Sequence, residues 1–291
     1  MKNVVSKVAA VHDISCVGRC SLTVIMPVLS AMGIQVCPLP TAVLSTHLGG
    51  FKDLAFYDFT KHMPDFFHHW KKSGVAFHCI YSGFLASEEQ IDVVQHFIDE
   101  FSSNHPLVVV DPVMGDEGKL YSIYTPHMQE QMKRLVKRAD VVTPNYTEAC
   151  FLLGEDYQDT VRDTTRMKEW LVALGNFGPS IVVITGIPFI NEKILTIGYD
   201  KEQHEFWEVF SDHIPAKYPG TGDIFASVLV GSLLQKDSLL VAIQRAVEFV
   251  GLAIQSTFQD QTPTREGVLL EKVLPWLCCG GDQEKIWRMS K

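Results

Sequence analysis

Charge is sparse: only 20% of the 291 residues are Asp, Glu, Lys or Arg, and the formal net charge is −9. That balance excludes nucleic acid and an anionic membrane as natural partners. No apolar run approaches the ~20 residues of a membrane span. Low-complexity segments and internal repeats are absent. The first residues enter an apolar strand pattern and carry none of the marks of a signal peptide. Seven cysteines, an odd number without framework spacing, predict reduced thiols and a cytoplasmic setting. Cys278 and Cys279 suggest no role. There is no G-x-S-x-G elbow, so His12, Asp13 and Ser15 do not read as a hydrolase triad. Gly115-Asp116-Glu117-Gly118-Lys119 lacks P-loop spacing. His68 and His69 are adjacent, not the i, i+4 pair of a helical metal site.

What is present is ordinary in amount and informative in order. Hydrophobic residues make up 46% of the chain, enough for a large core. Strand and helix patterns alternate: Val4–Val11, then Leu22–Ala31; Gln35–Val43, then Met63–Lys72; Phe77–Tyr81, then Ser87–Phe101. Leu107–Val110 and Ala139–Val142 follow, the second with a helix to Leu153; Asp159–Leu174 then leads to Ile181–Gly186. Ile194–Tyr199 and Glu205–Phe210 read as antiparallel strands at one edge, and Leu239–Phe258 and Arg265–Leu277 as closing helices. The alternation predicts an α/β fold, a mostly parallel central sheet with helices on both faces. Residues 1–291 read as a single domain, with a flap near 45–60 and a short loop near 211–219.

The stretch around Gly220-Thr221-Gly222-Asp223 organises the rest. Apolar and small residues from Ile224 to Leu234 predict a buried helix, and the glycines form its opening turn. Backbone N–H groups at such an opening are free and favour an anion. Asp223 beside them suits a base that takes a proton from an attacking hydroxyl, or else serves as an N-cap. Polar residues mark the strand ends: Asp13, Ser45-Thr46-His47, Tyr81-Ser82, Asp111, Thr143, Asn145 with Glu148, and Thr185. In a parallel sheet these share one rim, where ligands bind. Asn145 and Glu148 have capping-box spacing, or else Glu148 orients a hydrated Mg²⁺. The inventory suits phosphoryl transfer, which demands positioning and charge stabilisation.

Four segments carry a resemblance: Asp111-Pro112-Val113-Met114-Gly115-Asp116, Thr143-Pro144-Asn145-Tyr146-Thr147-Glu148-Ala149, Val183-Ile184-Thr185-Gly186 and Gly220-Thr221-Gly222-Asp223. In that order the chain resembles the ribokinase-like superfamily of small-molecule kinases, and most of all its vitamin B6 kinase branch. The resemblance implies ATP with Mg²⁺, optionally a monovalent cation such as K⁺, and a homodimer acting on a small molecule. It implies Asp223 as catalytic base and Gly220, Thr221 and Gly222 as anion hole. It places Thr143, Asn145, Glu148 and Thr185 at the nucleotide, and Asp111 and Glu148 by the metal. Asp13, Ser45, Thr46, His47 and Tyr81 correspond to the acceptor site, with Asp223. The implied reaction is phosphorylation of the 5′-hydroxymethyl group of pyridoxal, pyridoxine or pyridoxamine. Two departures point to hydroxymethylpyrimidine kinases: the Asp13-Ile14-Ser15-Cys16-Val17-Gly18 turn and Gly186. Asp223 points away from them, since they usually carry Cys there. Another small-alcohol kinase and a non-catalytic B6-binding protein are the alternatives.

Overall fold

The computed structural model describes residues 5–278. Among them, β1 (Lys7–Ser15), α1 (Leu22–Ala31), β2 (Gln35–Leu44), β3 (Phe56–Asp58), α2 (Met63–Lys72), β4 (Cys79–Ser82), α3 (Glu88–Phe101) and β5 (Leu107–Val110) form the first half. A hairpin of β6 (Gly115–Asp116) and β7 (Lys119–Leu120) precedes α4 (Pro126–Val136), β8 (Val141–Val142), α5 (Tyr146–Leu153) and α6 (Thr165–Gly175). The chain continues through β9 (Ile181–Phe189), β10 (Lys193–Asp200), β11 (Glu205–Asp212), α7 (Thr221–Leu234), α8 (Leu239–Gln259) and α9 (Leu270–Cys278).

Nine strands join in one sheet, ordered β11-β10-β9-β8-β5-β4-β1-β2-β3. The six from β9 to β2 are parallel. Both edges turn antiparallel, with β10 and β11 on one side and β3 on the other. Side chains alternate across the sheet, so each inner strand feeds two cores. Ala9, Val11, Ile80, Val110, Val142 and Ile184 meet Phe67, Phe97, Leu135 and Trp170 of α2, α3, α4 and α6. Val8, Ala10, Tyr81, Val109, Val141 and Val183 meet α1, α7, α8 and α9 through Ile25, Ile224, Ile243 and Trp276. This is the α/β architecture that the alternation predicts.

Several boundaries differ, each for a local reason. β1 starts at Lys7 and extends to Ser15, because β2 pairs with it as far as Ser15 and Leu44; Val4 lies outside the described residues. α6 begins at Thr165, after an Asx turn in which Asp163 accepts from the Thr165 N–H at 2.9 Å. The last helix begins at Leu270, since Gly267 (φ 74°) separates it from a 3₁₀ turn at Thr264–Glu266. The β6–β7 hairpin and the short strand β3 carry too little periodicity to be seen in the sequence; α4 does carry a stripe, Met128, Met132, Leu135 and Val136, which the alternation above leaves out. α8 corrects the reading of apolar runs: by length and composition it could cross a membrane. Here it packs against α7, α9, β10 and β11. Cys279 lies outside the described residues.

Candidate active site

The carboxyl ends of the parallel strands and the opening of α7 enclose a cavity of about 540 Å³. Most of the expected residues line it: Asp13, His47, Asp111, Thr143, Asn145, Glu148, Thr185, Gly220, Thr221, Gly222 and Asp223. Ser45, Thr46 and Tyr81 are not among its lining residues.

The opening of α7 is built by Gly220. Its φ of +82° is left-handed, and a Cβ there would lie 2.1 Å from the Arg19 carbonyl oxygen. Only glycine meets both conditions. The first intrahelical bond runs from the Ile224 N–H to the Gly220 carbonyl at 3.0 Å. The N–H groups of Thr221, Gly222 and Asp223 therefore have no partner within the helix. Thr221 Oγ donates back to the Tyr218 carbonyl at 3.2 Å and fixes the turn.

Asp223 is not the N-cap of this helix. That position is Gly220, and Asp223 is the third residue of the first turn. Its Oδ2 accepts from the Ser21 N–H at 2.8 Å, across the cavity floor from α1. Burial raises its pKa to about 7; the Ser21 N–H opposes the rise, and the nearby Asp13 adds to it. A carboxyl that titrates near neutrality is well matched to proton transfer.

Asp111 and Glu148 lie opposite as a buried acidic pair. The capping box is real: Asn145 Oδ1 accepts from the Glu148 N–H at 2.9 Å, and Glu148 Oε2 from the Asn145 N–H at 2.8 Å. Glu148 Oε1 also accepts from the Met114 N–H at 3.1 Å. Burial nonetheless raises its pKa to about 8, against these bonds. Burial pushes Asp111 well above the carboxylate range, and the Glu148 and Asp223 charges add to this. Two buried acids facing a cavity are relieved by a cation. The described residues contain no cluster of three or more metal-ligating side chains. A metal bound mostly through phosphates and water, as Mg²⁺ prefers, fits that set.

At the end of β1, Asp13 Oδ1 accepts from Ser21 Oγ at 2.6 Å and its Oδ2 from Ser15 Oγ at 2.9 Å. Burial raises the Asp13 pKa, and these two hydroxyls oppose that. His47 lines the cavity with both nitrogens committed: Nδ1 accepts from the Gly49 N–H at 3.0 Å, which leaves Nε2–H for the Arg265 carbonyl. It ties the loop after β2 to the turn after α8. Ser45 Oγ accepts from the Ala55 N–H at 3.0 Å and pins the base of the same loop. Tyr81 is fully buried, because strand alternation sends it into the layer of α1 and α7.

The sequence reading missed Cys20, Ser21, Phe84, Tyr121 and Lys217, all of which line the cavity. Ser21 had no signal in the sequence: it reaches Asp13 and Asp223 only because its backbone turns left-handed (φ 51°). Lys217 stands two residues before Pro219-Gly220, and that adjacency was available. Its ammonium pairs with Glu117 of the β6–β7 turn.

A parallel α/β rim with an open helix N-terminus and a neutral-range carboxyl defines a phosphotransferase type of site. The comparisons narrow the class. Residues 70–265 match the family described as phosphomethylpyrimidine kinase, and the chain belongs to it. Pyridoxine kinase of Bacillus subtilis is 30% identical over 200 residues, 67% of this chain and 72% of that protein. The structure of pyridoxal kinase from Lactobacillus plantarum superposes with a TM-score of 0.86 at 31% identity, covering 96% of this chain and 99% of that one. A Bacteroides thetaiotaomicron protein assigned as a phosphomethylpyrimidine kinase, crystallised with pyridoxal, gives a TM-score of 0.90 at 46% identity, with 94% and 96% covered. The protein is thus an ATP-dependent small-molecule kinase of ribokinase-like fold, akin to vitamin B6 kinases.

Proposed function

We propose that this kinase transfers the γ-phosphoryl group of ATP to the 5′-hydroxymethyl group of a vitamin B6 vitamer. The observation that carries the reading is Asp223, a buried carboxyl with a pKa raised to about 7, beside three free N–H groups of the α7 opening. Asp223 accepts the hydroxyl proton as that oxygen forms its bond to the γ-phosphorus. The bond from phosphorus to the bridging oxygen breaks, and its electron pair leaves with ADP. The N–H groups of Thr221, Gly222 and Asp223 hold the negative oxygens of the transferred group. Thr143, Asn145 and Thr185 face the nucleotide, and Asp13 the acceptor ring. Asp111 and Glu148 would hold Mg²⁺, which supplies charge neutralisation on the phosphates. A monovalent ion such as K⁺, a homodimer and a cytoplasmic setting belong to the same reading. The six described cysteines are free, which supports the last of these.

A second reading keeps the chemistry and exchanges the acceptor for hydroxymethylpyrimidine. The family match and the Asp13-Ile14-Ser15 turn favour it. Turnover of ATP against pyridoxal, pyridoxine, pyridoxamine and hydroxymethylpyrimidine decides between them. Binding without turnover of any acceptor would make the protein a B6 binder instead.

Asp13→Ala tests the acceptor side. It removes the partner of Ser15 and Ser21, and with it a charge-assisted contact typically worth ~1.5–3 kcal/mol. The expected result is a fall of about 10- to 200-fold in kcat/KM for the acceptor, with little change in the KM for ATP. A lowered Tm with normal acceptor kinetics would reduce Asp13 to a turn clamp.

Glu148→Gln tests the metal side. The geometry makes this change harsher than an ordinary capping-box swap, which tolerates Gln. Both carboxylate oxygens accept from backbone N–H groups, and a Gln NH₂ would face one of those donors. The variant is expected to need several-fold more Mg²⁺ for half-maximal rate and to melt lower. An unchanged Mg²⁺ titration would confine Glu148 to capping.

A further inference from the structure

His12 takes part in none of the steps above, yet it stands directly behind the base. β1 turns its ring into the α1 and α7 layer, where it meets Tyr81 edge-on at 4.4 Å between centroids. It has no solvent exposure, and among the described residues neither ring nitrogen has a hydrogen-bond partner. The Tyr81 hydroxyl and Ser227 Oγ, one helical turn beyond Asp223, are buried there as well and pair only loosely with each other. Gly83 leaves the space for the ring, since a Cβ there would lie 2.2 Å from His12. An unpaired buried imidazole is costly, and an apolar ring would fill the same space against Tyr81 without that cost. What distinguishes the imidazole is Nδ1, which lies 3.9 Å from Asp223 Oδ1.

We infer that His12 is a positioning residue that accepts a hydrogen bond from Asp223 once Asp223 has taken the proton of the acceptor hydroxyl. The inference rests on the reading of Asp223 as the base. At 3.9 Å the resting pair is not bonded, and a shift of under about 1 Å closes it. An ionised Asp223 has no proton to offer Nδ1, whereas the loaded acid does. The contact therefore forms after the proton has left the hydroxyl and the loaded carboxyl turns it to Nδ1, which holds it there and draws the transfer to completion. The proton moves from the hydroxyl oxygen to the Asp223 carboxyl and stays there; His12 receives a hydrogen bond and not the proton. Burial holds the imidazole neutral, with its pKa lowered to about 3, so one ring nitrogen always keeps a lone pair; the proposed role takes the tautomer with the proton on Nε2, which leaves Nδ1 to accept. The other titratable groups around Asp223 are Asp13, Cys20, Tyr81, Asp111 and Tyr121, and burial shifts each of them toward the neutral form. None of them offers a neutral nitrogen lone pair.

Three substitutions separate this role from packing. An Asn amide reaches the position of Nδ1 and can accept there; a Gln amide reaches the position of Nε2; Phe fills the space without an acceptor. Steady-state kinetics use ATP and whichever acceptor the wild type turns over fastest. His12→Asn is expected to keep kcat within about threefold. His12→Gln and His12→Phe should lower kcat about tenfold with both KM values unchanged. Equal kcat in all the variants, or a loss in His12→Asn as large as in His12→Gln, overturns the inference. Should His12→Phe fail to fold, the Asn and Gln pair decides alone. Asp223→Asn in the same series keeps the two readings apart. An active Asp223→Asn removes the base itself, whereas an inactive one with silent His12 variants removes only the role of His12.

Discussion

Asp223→Asn is expected to bind ATP as the wild type does and to turn over at least about 10²-fold more slowly, the usual loss for a general base. The amide keeps the shape and can still accept from the Ser21 N–H, so the cavity floor holds. It cannot take a proton from a hydroxyl. The same variant should be more stable than the wild type near pH 8. The folded pKa of Asp223 is raised from 3.8 to about 7. A carboxyl raised on folding stabilises the fold below its unfolded pKa, and that contribution is lost as pH rises through the folded pKa. Above pH 7 the buried charge is a net cost, on the order of 1–3 kcal/mol, and Asn does not carry it. The Tm difference should therefore grow between about pH 4 and pH 7, level off above, and amount to a few degrees. The wild-type kcat/KM should rise about tenfold per pH unit up to about pH 7, because only ionised Asp223 accepts a proton. Calorimetry and a pH–rate profile check both halves. A variant that keeps more than about a third of wild-type kcat removes the base assignment.

The second large effect is expected at the glycines of the α7 opening, where two similar substitutions should act in opposite ways. A Cβ on Gly220 would meet the Arg19 carbonyl oxygen at 2.1 Å and Cys20 Cα at 2.9 Å, both backbone atoms that cannot swing aside. The left-handed φ adds about 1–2 kcal/mol of strain for any L-residue. Gly220→Ala should therefore push α7 away from the β1–α1 turn, cost roughly 2–4 kcal/mol of stability, and lower kcat about 10²-fold by misplacing Asp223. A Cβ on Gly222, inside the first helical turn, would meet no atom within 4 Å. Gly222→Ala should leave Tm unchanged or raise it by the helix preference of alanine, about 0.5–1 kcal/mol. Its methyl group would stand at the cavity, and a rise of about tenfold in the KM for ATP is expected. Should Gly222→Ala match the wild type in all kinetics, close approach of an anion to this backbone is ruled out.

Much of this molecule could be read from one chain because its signals are local. Leu107-Val108-Val109-Val110 followed by Asp111-Pro112 states a buried strand and the point where pairing stops. Thr143 to Glu148 states a strand end and a capped helix, and the capping box is there. Gly220-Thr221-Gly222-Asp223 before an apolar run states an open helix N-terminus. What lies between such marks was harder. The β6–β7 hairpin has strands of two residues each, too short for any period, whereas α4 after it carries its stripe of Met128, Met132, Leu135 and Val136 behind the Thr125-Pro126 start and could have been read.

By itself the sequence determined the layered α/β fold, the rim of polar strand ends and the residues most suited to phosphoryl transfer. Hydrophobic period, glycine and proline act within a few residues, so they survive in one dimension. Only the tertiary structure decided which polar residues meet. Tyr81 reads as a rim residue but points beneath α7, since a strand sends neighbouring side chains to opposite faces. Ser45 reads as a ligand contact, and only the fold shows its hydroxyl accepting from the Ala55 N–H across the loop. Ser21 reads as nothing and joins Asp13 to Asp223, which are 210 positions apart in the chain, because the left-handed turn before α1 passes under α7. His12 stands behind the base only because Gly83, 71 positions later in the chain, leaves room for its ring. Such contacts depend on strand order and register, which are set by the packing of the whole sheet and leave no mark on any single segment.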